Sequence, residues 1–269
     1  MLRSIVEHVH PSLIFLSWVC IFAATSSLFF YLKARFYKEE ENQDIVRLVV
    51  TLITNFYSIF LGFIVFILWT DYTNARAVVI DETTKLYIIW KSSMDFPPAT
   101  TQIIQNNLSH YLSTVINQEW PAMAQGHDSP QAEKTVSQLY RSLLNYRPQT
   151  AISQSFYDKT VSALNEAIEY RNHRLSMLDI SIPTAWYVMI VIGAFFIIIM
   201  SIFLCTTCKI HYFMHTLLCL FLGFYLTATT VLKYPFSGFL TVSNQPFVKL
   251  LHSIQGYSIK TAALAVKPD

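Results

Sequence analysis

Four stretches of about twenty residues carry no Asp, Glu, Lys or Arg: Ser12–Leu32, Leu48–Trp69, Ala185–Leu204 and Tyr212–Leu232. As helices rising ~1.5 Å per residue, each reaches across a ~30 Å hydrocarbon core. A charge at mid-bilayer is costly, so long charge-free runs are what a membrane crossing requires. They come in two pairs with a more polar stretch between them. This predicts an all-α, polytopic membrane protein with four transmembrane helices (2+2) and a helical soluble insert. The expected parts are 12–70, the first helix pair; 71–184, the insert; 185–232, the second pair; and 233–269, a C-terminal tail. Only 13% of the residues are charged, against about 25% in soluble domains, which fits a chain solvated largely by lipid.

The first apolar stretch is distinguished from a signal peptide by its length. It follows a single basic residue, Arg3, and exceeds the ~7–15 residues of a signal core. Ala23-Ala24-Thr25 lies inside the run, where it makes a poor cleavage site, so the stretch is expected to be a retained helix. Cys20, Cys205, Cys208 and Cys219 all lie in or beside membrane segments, which is not the pattern of a secreted disulfide framework. A net charge of +2 gives no argument for a nucleic-acid partner, and 6 glycines argue against Gly-rich phosphate loops. Four crossings put both termini on one side. Lys33, Arg35, Lys38 and Arg47 in the first hairpin loop oppose Arg76, Lys85, Arg171, Arg174, Lys233 and Lys249 on the other side, so charge alone does not decide the orientation.

Beyond Trp69 the second stretch keeps helical spacing through Ala75, Val79, Leu86, Ile89 and Trp90, with Asp71, Arg76, Asp81, Glu82 and Lys85 on other faces. It is expected to run uninterrupted until Pro97-Pro98. Further helical patterns run through Ile104, Leu108, Tyr111 and Val115, thickened by Ile103, Leu112 and Ile116. Another follows Val136, Leu139 and Leu143 beside Tyr140 and Leu144. The last runs through Phe156, Val161, Leu164, Ile168, Leu175 and Leu178. A loop is expected over Ala124–Ser129. Such a bundle of about a hundred residues has a small core, and faces such as Ile88-Ile89-Trp90 suit packing within the chain and subunit contacts equally well.

The closest approach to a metal motif is Cys205, Cys208, His211 and His215, with Cys219 beyond. Thiolates and imidazoles bind zinc or copper, but the short turn between the last two apolar stretches and the narrow spacing depart from a finger template. Polar residues at a membrane-surface turn are the default, and no cofactor is expected. No G-x-S-x-G elbow or intramembrane carboxylate pair is present, so no enzyme is expected. The second stretch is graded instead. Thr51, Thr54, Asn55, Tyr57 and Ser58 precede the apolar run Ile59–Trp69, and Asn55, Ile59 and Phe63 share one helical face. This suits an ion pathway with an apolar constriction, but on spacing alone the readier reading is ordinary packing in which Asn and Ser bond neighbouring helices.

Three elements together carry a family resemblance. They are Leu61-Gly62-Phe63-Ile64-Val65 with Trp69 and Tyr72; Tyr111, Val115 and Glu119-Trp120-Pro121 with Met123; and Leu232 with Pro235-Phe236-Ser237-Gly238, Val242-Ser243 and Pro246-Phe247. The chain resembles the bacterial bestrophin-like four-helix membrane proteins from about Leu48 to Leu251. The resemblance implies a bestrophin-like fold in a bacterial inner (plasma) membrane, with termini and insert cytosolic. It also implies a homo-oligomer, pentameric in bestrophins proper, that passes anions such as chloride through a neck on the second membrane helix. Gly62-Phe63 matches the neck element, which makes Ile59 and Phe63 the leading neck residues, with Asn55 added by helical spacing. Arg76 is a candidate for the pore mouth from its sign and position, although an ordinary snorkelling flank residue is the readier reading. Glu119, Trp120, Pro121, Pro235, Phe236 and Gly238 are carried over as structural motif residues. Lys233 stands where the family usually has an acidic residue, and no acidic calcium-clasp cluster is present. The rival expectation is a non-conducting membrane scaffold or sensor whose helical insert binds a partner.

Overall fold

The computed structural model of the chain describes residues 2–36, 43–178, 182–204 and 209–265. The described residues form helices and connecting turns, with no strand among them. The helices are α1 (Leu2–His8), α2 (Pro11–Phe36), α3 (Gln43–Ser93), α4 (Pro98–Thr114), α5 (Trp120–Gln125), α6 (Pro130–Leu144), α7 (Ala151–Ser176), α8 (Thr184–Leu204), α9 (Lys209–Leu232) and α10 (Gln245–Ala265). Four of them, α2, α3, α8 and α9, are long and apolar enough to cross a membrane. These contain the four charge-free stretches. The 51 residues of α3 correspond to ~75 Å of helix, well beyond one crossing, as the unbroken spacing past Trp69 predicts. It stops at Ser93, just short of the Pro97-Pro98 pair. Pro98 then opens α4, a position where its missing N–H costs nothing.

The chain divides into two compact units. The first comprises Met1–Tyr72 and Ser181–Leu240. Its core joins Phe22 of α2, Leu61, Ile64 and Leu68 of α3, Ile190, Ala194, Ile197, Ile198 and Ile202 of α8, and Leu222 and Leu226 of α9. The Lys33 ammonium at the end of α2 donates to the carbonyls of Ile202 (3.0 Å) and Phe203 (3.1 Å), a cation on the last carbonyls of α8. His215 on α9 links three helices: Ser201 Oγ of α8 lies 2.9 Å from its Nδ1, and Ser26 Oγ of α2 lies 2.8 Å from its Nε2. The Ser201 hydroxyl proton goes to the Ile198 carbonyl. Nδ1–H therefore donates to Ser201, and Ser26 donates to Nε2.

The second unit comprises Thr73–Ile180 and Thr241–Asp269. The segment after Leu232 thus divides between the units, and α10 belongs to the second. Ser129 and the Thr150/Ser153 capping box start α6 and α7. Gly126, at φ 89°, ends α5 in the left-handed region that glycine enters without steric penalty. The core holds Leu86, Ile89, Ile104, Leu108, Leu112, Met123, Leu139, Leu143, Leu164 and Phe247. Two sequence expectations shift here. Ile103 and Leu144 face outward. The buried face of α7 is Thr160, Ala163, Leu164, Ala167, Arg171 and Arg174, rotated from the Val161–Ile168–Leu175 stripe. The small Ala163 and Ala167 allow close approach, and the two arginines are drawn inward by carboxylates.

Candidate functional site

The rotation of α3 about its own axis is fixed by one face. Leu61, Ile64 and Leu68 enter the core of the first unit. One turn before them, the Tyr57 hydroxyl donates to the Ile190 carbonyl at 2.8 Å. Gly193 on α8 makes room for that ring: a Cβ there would overlap the Tyr57 ring carbons. With this face turned inward, Ile59 (58% exposed) and Phe63 (63% exposed) point away from the chain's own core. Leu52, Phe56 and Phe66 extend the same outward apolar surface. Asn55 and Gly62 are exposed as well. A Cβ on Gly62 would meet nothing within 4 Å, so no packing among the described residues requires glycine there. The structure therefore places Asn55, Ile59, Gly62 and Phe63 together on one outward surface of α3. Arg76, in the second unit, is exposed too.

The second unit holds a cluster that the sequence reading assigned differently. Glu82, Glu119, Arg171 and Arg174 are all buried. Glu82 does not occupy a solvated face, and Arg171 and Arg174 are not flanking surface cations. Arg174 Nε donates to Glu82 Oε2 (2.7 Å), and its Nη2 to Glu82 Oε1 (3.1 Å) and Glu119 Oε2 (2.9 Å). Its Nη1 contacts Met123 Sδ. The guanidinium carbon sits 5.4 Å from the Trp120 ring centre and 5.5 Å from that of Phe247. Arg171 Nη2 donates to Glu119 Oε1 (2.6 Å) and Nη1 to the exposed Glu133 (2.5 Å). The Tyr111 hydroxyl completes the set, donating to Glu82 Oε1 at 3.0 Å. Two cations and two anions thus share the interior, with every guanidinium edge engaged.

The electrostatics follow from that balance. Burial acts to lower the pKa of both arginines. The charge of Glu119 on Arg171, and of Glu82 on Arg174, with the hydrogen bonds to them, outweighs it, so both are held above the usual arginine value. Burial, then the negative charges of Glu82 and Glu119, pushes Tyr111 well above its ordinary value, so it stays a neutral donor.

A local backbone feature aims Glu119 and Trp120 into this cluster. Val115–Glu119 is a single π-helical turn, and Trp120 N–H bonds back to the Val115 carbonyl. Pro121 follows. A proline inside an α-helix clashes with the carbonyl four residues back, and widening the preceding turn relieves that clash. Neighbouring side chains that a regular helix would splay by about 100° are both buried here.

Among the described residues no three His, Cys, Asp or Glu side chains form a metal-binding group. Cys205 and Cys208 lie outside the described residues, and His215 is engaged by serines. The His215–Cys219 pair borders a pocket of about 360 Å³ with Ser26, Phe30 and Tyr212.

Compared with known proteins, residues 19–247 match the Bestrophin-like domain. The chain belongs to the bestrophin-like family. No curated protein sequence matches it. Among solved structures, the bestrophin-like chain shares its fold with a point variant of a membrane protein (11% identity, 92% of this chain and 97% of that chain covered, TM-score 0.68). It shares it also with two variants of a bacterial bestrophin homologue from Klebsiella pneumoniae. One is 14% identical, with 94% and 100% covered and TM-score 0.63; the other is 12% identical, with 89% and 96% covered and TM-score 0.65. In this bestrophin-like chain Glu119 ends the π-turn and Trp120-Pro121 open α5, and Glu119 and Trp120 both reach the ion cluster. Pro235-Phe236-Ser237-Gly238 forms a tight turn in which Gly238 takes φ 82° beside the Val6 carbonyl.

Proposed function

We propose that this bestrophin-like chain is an oligomeric channel of a bacterial plasma membrane. It passes anions such as chloride passively through a neck contributed by α3 of each copy. The observation that carries the proposal is the outward surface of α3. Its opposite face is locked by Tyr57, Leu61, Ile64 and Leu68, so Ile59 and Phe63 must meet either lipid or other copies of the chain. The grading from Thr51 and Asn55 to Ile59, Phe63 and Phe66 favours a pathway over a lipid face, because a lipid-facing helix gains nothing from an exposed Asn. Gly62, which no contact among the described residues demands, supports close approach of something outside the chain. Five copies, with insert and termini cytosolic, follow the resemblance to bestrophins. Arg76 would raise local anion concentration at the inner mouth. The proposed role is conduction, not catalysis.

Flux from liposomes reconstituted with the full chain tests this. Anion efflux is expected, and Phe63→Ala or Ile59→Ala is expected to change it by about tenfold, through the dewetting barrier of the neck. Absence of flux for a panel of anions and cations would end the channel proposal and leave a non-conducting membrane scaffold.

A further inference from the structure

Lys233 follows the last residue of α9 and is only 6% exposed. Its ammonium lies 5.4 Å from the Tyr187 ring centre and 5.7 Å from the Tyr234 ring centre. Among the described residues no carboxylate comes within 4.0 Å of it. Two aromatic faces only partly replace the water and counter-charge that a buried ammonium loses. A second cation stands on the same ring: the guanidinium of Arg3, on α1, is 5.1 Å from the Tyr234 centre. The frame around them is fixed. The Tyr187 hydroxyl pairs with Thr230 Oγ1 at 2.7 Å, and the turn after Tyr234 is closed by Ser237 N–H donating to the Tyr234 carbonyl at 3.1 Å. Gly238 accepts the close approach of Val6 from α1. The result is two cations on one aromatic ring, with no anion on Lys233 among the described residues.

We propose that Lys233, Arg3 and Tyr234 form an anion site at this end of the membrane helices, taking a phosphate-type oxyanion from either an anionic phospholipid headgroup or free phosphate. An ammonium with three donors and a forked guanidinium match an oxyanion's several acceptors. Adjacency to the end of a membrane span is the depth at which headgroup phosphates lie. Burial holds the Lys233 pKa below its ordinary value, and a bound anion would reverse that. The site is independent of whether the chain conducts.

The test is thermal unfolding of the purified full chain in a neutral detergent at constant ionic strength. It is titrated in turn with dihexanoyl-phosphatidylglycerol, dihexanoyl-phosphatidylcholine and sodium phosphate. Phosphatidylglycerol is expected to give a saturable rise in unfolding temperature that phosphatidylcholine does not. The same rise with sodium phosphate assigns free phosphate; a rise with the lipid alone assigns a headgroup. Lys233→Gln should weaken the midpoint by about tenfold or more, since a charge-assisted contact is lost, while Lys233→Arg keeps it. Arg3→Gln, on the short α1, must weaken it as well and serves if Lys233→Gln does not fold. No rise with either anionic probe, or an equal rise in wild type and both Gln variants, overturns the site.

Discussion

Glu82, Glu119, Arg171 and Arg174 show how unequal the consequences of single changes are at the residue scale. Replacing Arg174 with Met leaves the buried Glu82 with only the Tyr111 hydroxyl, and breaking a buried pair in this way typically costs about 3–5 kcal/mol. Glu82→Leu together with Arg174→Met removes one charge of each sign and leaves Glu119 with Arg171. The double variant is expected to recover most of the loss, read as denaturant midpoints of wild type, single and double variants. Tyr111 makes a pH prediction. Its folded pKa is raised from the ordinary 10.0 by burial and by the negative charges of Glu82 and Glu119. Above pH 10.0 the folded chain therefore holds a proton that the unfolded chain releases, and stability falls as pH rises through that value. Tyr111→Phe should unfold without that alkaline slope. This cluster was only half legible in the sequence. The stripe Ala75, Val79, Leu86, Ile89 has a vacant position in phase at 82, and a carboxylate in phase with core positions is the available signal. Its partners, on α7 and in the π-turn, are 92 and 37 residues away in the chain, and no local pattern links them.

At the scale of elements, the glycines of α3 and α8 have opposite roles. Gly193→Ala puts a methyl group into the Tyr57 ring, which is tied to Ile190, and overpacking of this kind costs about 1–3 kcal/mol. Gly62→Ala meets nothing within 4 Å and should leave the stability of the separated chain unchanged. Thermal unfolding of the two variants side by side checks the pair. If Gly62→Ala nevertheless alters oligomer formation or flux, contact with another copy is the cause. Helix existence and extent were readable for a physical reason. Charge-free runs near twenty residues have few alternatives to a membrane span, and the unbroken spacing past Trp69 carried α3 into the second unit. The rotation of α7 was not readable, because its buried face is made of Ala and Arg rather than of its largest apolar residues. The π-turn also has no periodic signature; only Pro121 hints at it.

The whole molecule combines two different solvation problems. The first unit leaves much of its apolar surface uncovered, including Leu52, Phe56, Ile59, Phe63 and Phe66 on α3. The second buries a charged cluster under an apolar core. The outward position of Ile59 and Phe63 follows from the locked opposite face of α3, and the sequence indicated only that they share a face. In the proposed channel, what they meet is decided between copies of the chain, so no single-chain pattern contains it.

The buried cluster also sets an order of events during synthesis. Glu82 and Glu119 leave the ribosome long before Arg171 and Arg174, the partners that neutralise them, so the second unit cannot close until α7 has been made. Until then α3 carries a carboxylate with no counter-ion just beyond its membrane span. A chain truncated after Leu164 should therefore remain open to protease across α4 to α6, whereas one extended past Met177 should become more resistant there and one that includes α10 fully so, as limited proteolysis of stalled chains would read. In this protein, the last helix before the second membrane hairpin brings the counter-ions to a domain that only α10, with Phe247 against Arg174, completes.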